Sequence, residues 1–260
     1  MRQKHKEASR QAASHMIFDR MRHSLIIPVE TSAADMTLDH PKSSASPPRD
    51  EAAPACPLPV AIEALIGATR RFIDTHAPQF VAGASVPWSD PLQRRTVPTS
   101  SLPVLRHLSL CQTAAPPAMH PLVEALHSAA PVLPWRQTYG ARQMSQHFLT
   151  QYGWAELVGL TGPVPSRTCA VGFLLLGPGV EYPPHHHEAL ELYLPLAGRA
   201  AWWRAQSGWQ QIEPGEPVLH ARWEAHAMRT ESEPLLALYL WRSEHLDQHA
   251  ELTDRRALEG

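Results

Sequence analysis

The spacing of apolar residues changes near residue 135 and divides the chain into two parts. In the first part, residues 59–75 place apolar side chains at helical spacing, and Pro59 suits the first turn of a helix. Repeated prolines interrupt residues 78–118, but the pattern also predicts short helices at 101–111 and 121–129. The apolar stripe of the first helix comprises Ile62, Leu65, Ile66, Phe72 and Ile73.

After residue 135 the apolar segments are short and are separated by glycine and proline, which is typical of a β-sandwich or barrel. They read AELVGL, CAVGFLLLGPGV, LELYLPLAG, AAWWRA, GWQQIEPGEPVL and PLLALYLW. The pattern predicts a β-barrel domain at 136–250, preceded by a helical extension at 56–135 and followed by a C-terminal tail at 251–260. Residues 1–55 are polar and end in a Ser- and Pro-rich stretch, so we expect a disordered tail in which 16–29 could form a short helix.

Composition narrows the classes of partner. The 23 Lys and Arg residues nearly balance the 25 Asp and Glu residues, which argues against nucleic acid or an anionic membrane as a partner.

No stretch approaches the roughly 20 apolar residues of a membrane span, and the apolar run 25–29 is too short for a signal peptide. Cys56, Cys111 and Cys169 are sparse and odd in number, so we expect a reducing, cytoplasmic setting. The 16 His residues point to metal binding.

The residues that carry chemistry lie in the segment 181–198, EYPPHHHEALELYLPLAG. We predict that it continues as one strand from His185, so that alternate side chains share a face. One face would carry His185, His187, Glu191 and Tyr193. The other face would carry Leu190, Leu192, Leu194 and Leu196, which the N-terminal helices or a second subunit would cover.

The polar face of this strand predicts a metal site. Each buried polar group without a partner costs about 1–3 kcal/mol, and a divalent metal would satisfy the two imidazoles and the carboxylate together. Such ligands suit Zn, Fe, Mn, Co or Ni, so we expect one divalent transition metal as the cofactor. The alternative is a cluster of surface histidines, but the His-x-His-x3-Glu spacing before LYLPLAG favours the metal site.

This spacing resembles the first motif of the cupin family, which supplies two His and a Glu to a metal inside a jelly-roll barrel. The matching residues are His185, His187, Glu191 and Gly198. The start of the second cupin motif, which supplies a third His, resembles Gly208, Pro214 and Gly215. The chain then departs from the motif, because no His stands three residues after Gly215, and the candidates for the third His are His226 and His220.

The segments HAMRT and PLLALYLWR are similar to those of the cupin-type dimethylsulfoniopropionate (DMSP) lyases, in which the distal metal ligand heads HAMRT. The resemblance covers residues 181–242. It implies a cupin jelly-roll barrel and favours His226 over His220 as the distal ligand. It also implies that DMSP is cleaved to dimethyl sulfide and acrylate, with the metal acting as a Lewis acid.

The same resemblance assigns roles to two aromatic residues, Tyr193 and Trp241, and a third, Tyr182, is a candidate because it lies just before the His run. The resemblance places the catalytic base at Tyr193, whose pKa a nearby cation would lower. Tyr182 could bind the substrate carboxylate, and Trp241 is favoured as the aromatic partner of the sulfonium group. Each could instead be an ordinary core residue.

Two rival functions stay open. One is another metal-dependent cupin enzyme, such as a dioxygenase or an isomerase, and the other is a non-catalytic cupin that binds a small ligand. In each case the expected partner is a small molecule, with a homodimer as a further expectation.

Overall fold

Helices form the first part of the fold and strands the second in the computed structural model, which describes residues 58–82, 86, 88 and 93–254. These residues belong to one compact unit, Cys56–Gly260. The predicted tail 1–55, including its helix at 16–29, lies outside the described residues, as does Cys56. Among the residues that the structure describes, no helix is long and apolar enough to cross a membrane.

The described helices are α1 Val60–His76, α2 Pro78–Val81, α3 Leu108–Ala114, α4 His120–Ala129 and α5 Gln146–Gln151, with 3-10 helices at Pro103–His107 and Ala130–Val132. The whole apolar stripe predicted for α1 is buried, and α1 contacts α4. The helix predicted at 101–111 is divided into a 3-10 turn and α3. The hydroxyl of Ser145 caps α5 by accepting a hydrogen bond from the backbone N–H of Phe148 at 3.1 Å.

The described strands are β1 Trp135–Arg136, β2 Tyr152–Gly159, β3 Val164–Pro165, β4 Cys169–Leu176, β5 Glu181–His186, β6 Leu190–Ala197, β7 Ala200–Arg204, β8 Gly208–Ile212, β9 Val218–His220, β10 His226–Thr230, β11 Leu235–Arg242 and β12 Glu251–Leu252. They form two sheets. The larger sheet has the order β1-β2-β4-β11-β6-β9, with β3 paired to β2, and the smaller has the order β12-β5-β10-β7-β8. The mainly β class with preceding helices is therefore confirmed, and the two sheets are consistent with a cupin jelly roll.

The apolar core lies between the two sheets. One cluster of buried side chains joins Leu174 and Tyr193 of the larger sheet to Trp202 and Met228 of the smaller sheet. Side chains on the inner faces can therefore meet even when their strands belong to different sheets.

The prediction of one continuous strand from His185 is wrong. The structure has two strands there, β5 in the smaller sheet and β6 in the larger sheet, with residues 187–189 as the link. The backbone oxygen of His187 accepts a hydrogen bond from Trp223 N at 2.8 Å, and its ring bonds the carbonyl oxygen of Ala189 at 3.0 Å. These contacts replace ladder hydrogen bonds and let the chain cross from one sheet to the other.

The leucines of β6 are buried on its outer face, where α3 of the N-terminal helices contacts the strand. After β6 the chain turns at Gly198, whose φ of +76° favours glycine. A Cβ at this position would lie 1.8 Å from the carbonyl oxygen of Pro234. Gly198 is thus required by both conformation and space at the turn into β7.

Candidate metal centre and active site

Three histidines meet between the sheets. His185 of β5 and His226 of β10 are register partners in the smaller sheet, and their ring centroids lie 4.2 Å apart. His187, in the link between β5 and β6, places its ring centroid 5.1 Å from that of His226. All three side chains are buried.

The three rings are held in the tautomer that a metal ligand needs. Each Nδ1 bonds a backbone carbonyl oxygen two residues away, at 2.9 Å for His185, 3.0 Å for His187 and 2.8 Å for His226. Because a carbonyl oxygen only accepts, Nδ1 carries a proton, which leaves Nε2 as the atom available to a metal. Metal-binding histidines are typically oriented in this way.

Glu191 brings a carboxylate to the histidines from β6 of the larger sheet. Its Oε2 lies 3.0 Å from Nε2 of His187 and 3.1 Å from Nε2 of His226, and the side chain has no solvent exposure. Burial alone would raise the pKa of Glu191, but His187 and His226 outweigh it and hold the pKa well below its usual range. The carboxylate is therefore ionised at neutral pH.

The donor atoms of these residues are close enough to share one cation. Those of His185, His187 and His226 all lie within 4.8 Å of one another, and so do those of Glu191, His220 and His226. Burial, followed by the neighbouring His226, lowers the pKa of His185 well below its usual value, which keeps the ring neutral. Neutral imidazoles with one carboxylate fit a divalent transition metal.

His220 belongs to the same cluster. It ends β9, pairs in register with Glu191 of β6 and is fully buried. Its ring is stacked on that of His226, with centroids 3.9 Å apart and planes within 10°. The structure thus brings both candidates for the distal ligand to the site.

Tyr193 lies on the inner face of β6, two residues after Glu191, and is buried. It lines the same cavity as Glu191 and His185. Burial raises the pKa of Tyr193 well above its usual value, and the Glu191 carboxylate raises it further. Without a nearby cation, the phenol stays protonated at neutral pH.

Trp241 contacts two of the candidate metal donors and also lines the cavity. It pairs in register with Glu191 across β11 and β6, and its indole Nε1 donates a hydrogen bond to Oε1 of Glu191 at 2.5 Å. Its ring also lies 4.2 Å from that of His187 between centroids. Sequence reasoning anticipated a contact with substrate but missed this hydrogen bond, which depends on the register between two distant strands.

Tyr182 reaches the cavity because β5 is irregular. The register against β10 shifts between His226 and Met228, so that Tyr182 and His185 both face inward although they are three residues apart. The Tyr182 ring is stacked on His185 at 4.1 Å, and its hydroxyl accepts a hydrogen bond from Tyr152 at 3.4 Å. It is buried deep among aromatic side chains rather than exposed at a rim.

The cavity has a volume of about 500 Å³ and its wall includes residues that sequence reasoning did not single out. On β2, Tyr152, Trp154 and Glu156 alternate along one inner face, and Arg136 of β1 lies beside them. The alternation in YGWAE was the available signal, since it matches the spacing used for His185 and His187. Residues 246–250, between β11 and β12, complete the wall.

Comparisons with known proteins agree on one family. The sequence profile of the dimethylsulfoniopropionate lyases matches residues 79–237. The curated dimethylsulfoniopropionate lyase DddQ of Ruegeria pomeroyi is 33% identical over 121 residues, which are 46% of this chain and 60% of that protein. The match therefore spans less than two thirds of that curated relative.

Two solved structures cover more of the chain. One, described as that of the DMSP lyases RdDddP and RnDddQII, is 32% identical with a TM-score of 0.66 and covers 75% of this chain and 98% of its own. The other, DMSP lyase DddQ from Ruegeria pomeroyi, is 28% identical with a TM-score of 0.63 and covers 73% of this chain and 96% of its own.

Proposed function

Because the chain belongs to the dimethylsulfoniopropionate lyase family, we propose that it cleaves DMSP to dimethyl sulfide and acrylate with one divalent transition metal. The observation that carries this proposal is the set of buried His and Glu donors beside Tyr193 in an aromatic cavity. The reaction is a β-elimination. The α C–H and C–S bonds break, a carbon–carbon double bond forms, and dimethyl sulfide leaves with the electron pair of the C–S bond.

The metal would be held by His185, His187, Glu191 and His226. Three of these residues have Nδ1 anchored on a backbone carbonyl, and the fourth is an ionised, buried carboxylate, so the donors fit a divalent ion. When bound, such an ion supplies Lewis acidity toward the substrate carboxylate and a positive charge that favours phenolate at Tyr193. Zn, Fe, Mn, Co and Ni all suit these donor types.

The cavity offers both ends of DMSP a matching surface. Trp154, Tyr239 and Trp241 line it with aromatic rings, and a ring face attracts a cation by about 0.5–2 kcal/mol, which suits the sulfonium group. Burial, and then Tyr152, raise the pKa of Tyr182 well above its usual value, so its hydroxyl stays protonated. We assign Tyr182 to the substrate carboxylate as a hydrogen-bond donor and Trp241 to the sulfonium.

Tyr193 is the proposed base. Its oxygen takes the α-proton of DMSP while the thioether leaves, and no covalent bond to the enzyme forms. Tyr193 is buried and lines the cavity, so a bound substrate would displace water from the surroundings of its oxygen. His186, the third His of the run, bonds Thr253 at 2.8 Å and does not line the cavity.

The decisive experiment is direct assay of the metal-reloaded protein. Protein stripped with a chelator should release no dimethyl sulfide from DMSP. After reloading with at least one of Zn, Fe, Mn, Co or Ni, it should release dimethyl sulfide and acrylate in equal amounts, measured by headspace gas chromatography and liquid chromatography. Absence of both products with all of these ions would refute the proposed function.

We also propose a cytoplasmic location and a homodimer. Cys111 and Cys169 are free and buried, which accords with a reducing compartment. Light scattering on the purified protein would test the dimer.

A further inference from the structure

His220 is a buried polar residue that has no role in the proposed reaction. It has no solvent exposure, and neither Nδ1 nor Nε2 has a hydrogen-bond partner within the described part of the chain. A buried imidazole normally bonds at least one partner, because an unpaired buried polar atom destabilises the fold. The position of His220 therefore calls for a polar group that the protein itself does not provide.

The surroundings of His220 indicate what that group is. Across β9 and β6 it is the register partner of Glu191, and its donor atom lies within 4.8 Å of those of Glu191 and His226. The rings of Tyr193 and Trp202 lie farther from His220, at 6.1 Å and 6.3 Å between centroids, and neither makes a hydrogen bond to it within the described residues. The donor atoms grouped with His220 are thus those that we assign to the metal.

His220 also differs from the other histidines in its freedom to turn. His185, His187 and His226 each have Nδ1 fixed on a carbonyl, whereas no hydrogen bond from the residues that the structure describes fixes the ring of His220. Two parallel stacked rings hold their lone pairs in separate parallel planes, so both can point at one ion only if one ring rotates. His220 is the ring that can do so.

We propose that His220 is a fifth protein donor of the metal centre, alongside His185, His187, Glu191 and His226. The inference rests on the metal centre of the proposed function. Five protein donors and one substrate carboxylate oxygen give six-coordination, which suits Fe, Mn, Co or Ni better than the tetrahedral preference of Zn. The number of protein donors thereby favours Fe, Mn, Co or Ni over Zn as the metal at this site.

Paramagnetic proton NMR of the cobalt(II)-loaded protein tests this inference. Each imidazole bound to cobalt gives one strongly shifted, exchangeable N–H resonance. The wild-type protein should show one such resonance for each of His185, His187, His220 and His226. The variant His220→Phe should lose one of them and bind cobalt about 10-fold or more weakly in competition with a chelator.

His186→Phe is the matched control, because His186 is in the same run but bonds Thr253 outside the cavity. It should keep all the shifted resonances and the wild-type affinity. A wild-type spectrum without a His220 resonance, or an unchanged spectrum and affinity in folded His220→Phe, would overturn the inference. The number of shifted N–H resonances in the wild-type spectrum tests the inference even if the variant does not fold.

The two proposals fail in different ways. If the wild-type protein binds no cobalt and shows no shifted resonance, the metal centre of the proposed function is wrong as well. If the wild-type protein binds cobalt and shows shifted resonances for only three histidines, His185, His187 and His226, only the role of His220 is wrong.

Discussion

Replacing Trp241 by phenylalanine removes one hydrogen bond to a metal donor while an aromatic ring stays in the cavity. The lost bond runs from the indole Nε1 to Oε1 of Glu191 at 2.5 Å. The other carboxylate oxygen faces His187 and His226. The substitution therefore removes the hydrogen bond to Oε1 and leaves the contacts of Oε2 with the histidines in place.

The expected size of the effect follows from the charge and burial of Glu191. Its carboxylate is ionised and fully buried, and a hydrogen bond to a charged group contributes about 1.5–3 kcal/mol. At about 1.4 kcal/mol per factor of ten, this corresponds to a roughly 10- to 100-fold weaker metal affinity, which is the usual range for loss of a residue that orients a ligand.

The assay is competition for the metal with a chromophoric chelator, followed by kinetics at limiting and at saturating metal. Trp241→Phe should lose most activity at limiting metal and recover most of it at saturating metal. Trp241→Ala should in addition raise KM at saturating metal, because it removes the ring that we assign to the sulfonium.

Trp135→Phe is a suitable control, since Trp135 is a buried indole that donates to the carbonyl oxygen of Ala130 at 3.1 Å, away from the cavity. It should lower the melting temperature without changing metal affinity. If Trp241→Phe binds metal as tightly as the wild type, the hydrogen bond does not support the metal centre.

Two further substitutions test the site, and two measurements on the buried cysteines test the core. Tyr193→Phe should reduce kcat by about 10²- to 10⁴-fold with normal metal content, and near wild-type dimethyl sulfide release would remove Tyr193 as the base. Glu191→Ala should lose metal and activity together, and full metal content by elemental analysis would disprove its role as a ligand. Burial raises the pKa of Cys111 and of Cys169 from 9.0 to about 12, so both thiols should resist iodoacetamide at about pH 8.5, as mass spectrometry would show. Since the unfolded chain releases these protons first, the free energy of unfolding should fall as the pH rises above 9.0, and a rise there would contradict the assignment.

Local patterns predicted much of the fold and several residues of the candidate site. The helical stripe of α1, the change to short strands and the donor residues of the segment 181–198 could all be identified from residue spacing. Strand alternation also grouped His185 with Glu191 and Tyr193, whose side chains do line one cavity. The grouping is correct although His185 lies on β5 of the smaller sheet, and Glu191 and Tyr193 lie on β6 of the larger sheet.

The features that escaped prediction depend on contacts between distant segments. The link 187–189 between β5 and β6 is held in part by the hydrogen bond from Trp223 N to His187 O. The inward position of Tyr182 follows from the irregular pairing of β5 with β10. The bond from Trp241 to Glu191 requires the register of β11 against β6. Spacing within one strand contains no information about such registers, and it could not choose between His220 and His226.

The proposed donors of the metal centre are divided between the two sheets of the fold. His185 and His226 belong to the smaller sheet and Glu191 to the larger one, so an ion bound to all three is a cross-link between the sheets. Because the unfolded chain does not hold these donors together, the free energy of ion binding becomes free energy of folding. With the ion in place the two layers would open only together, and amide hydrogen exchange in β6 and β10 would slow in concert.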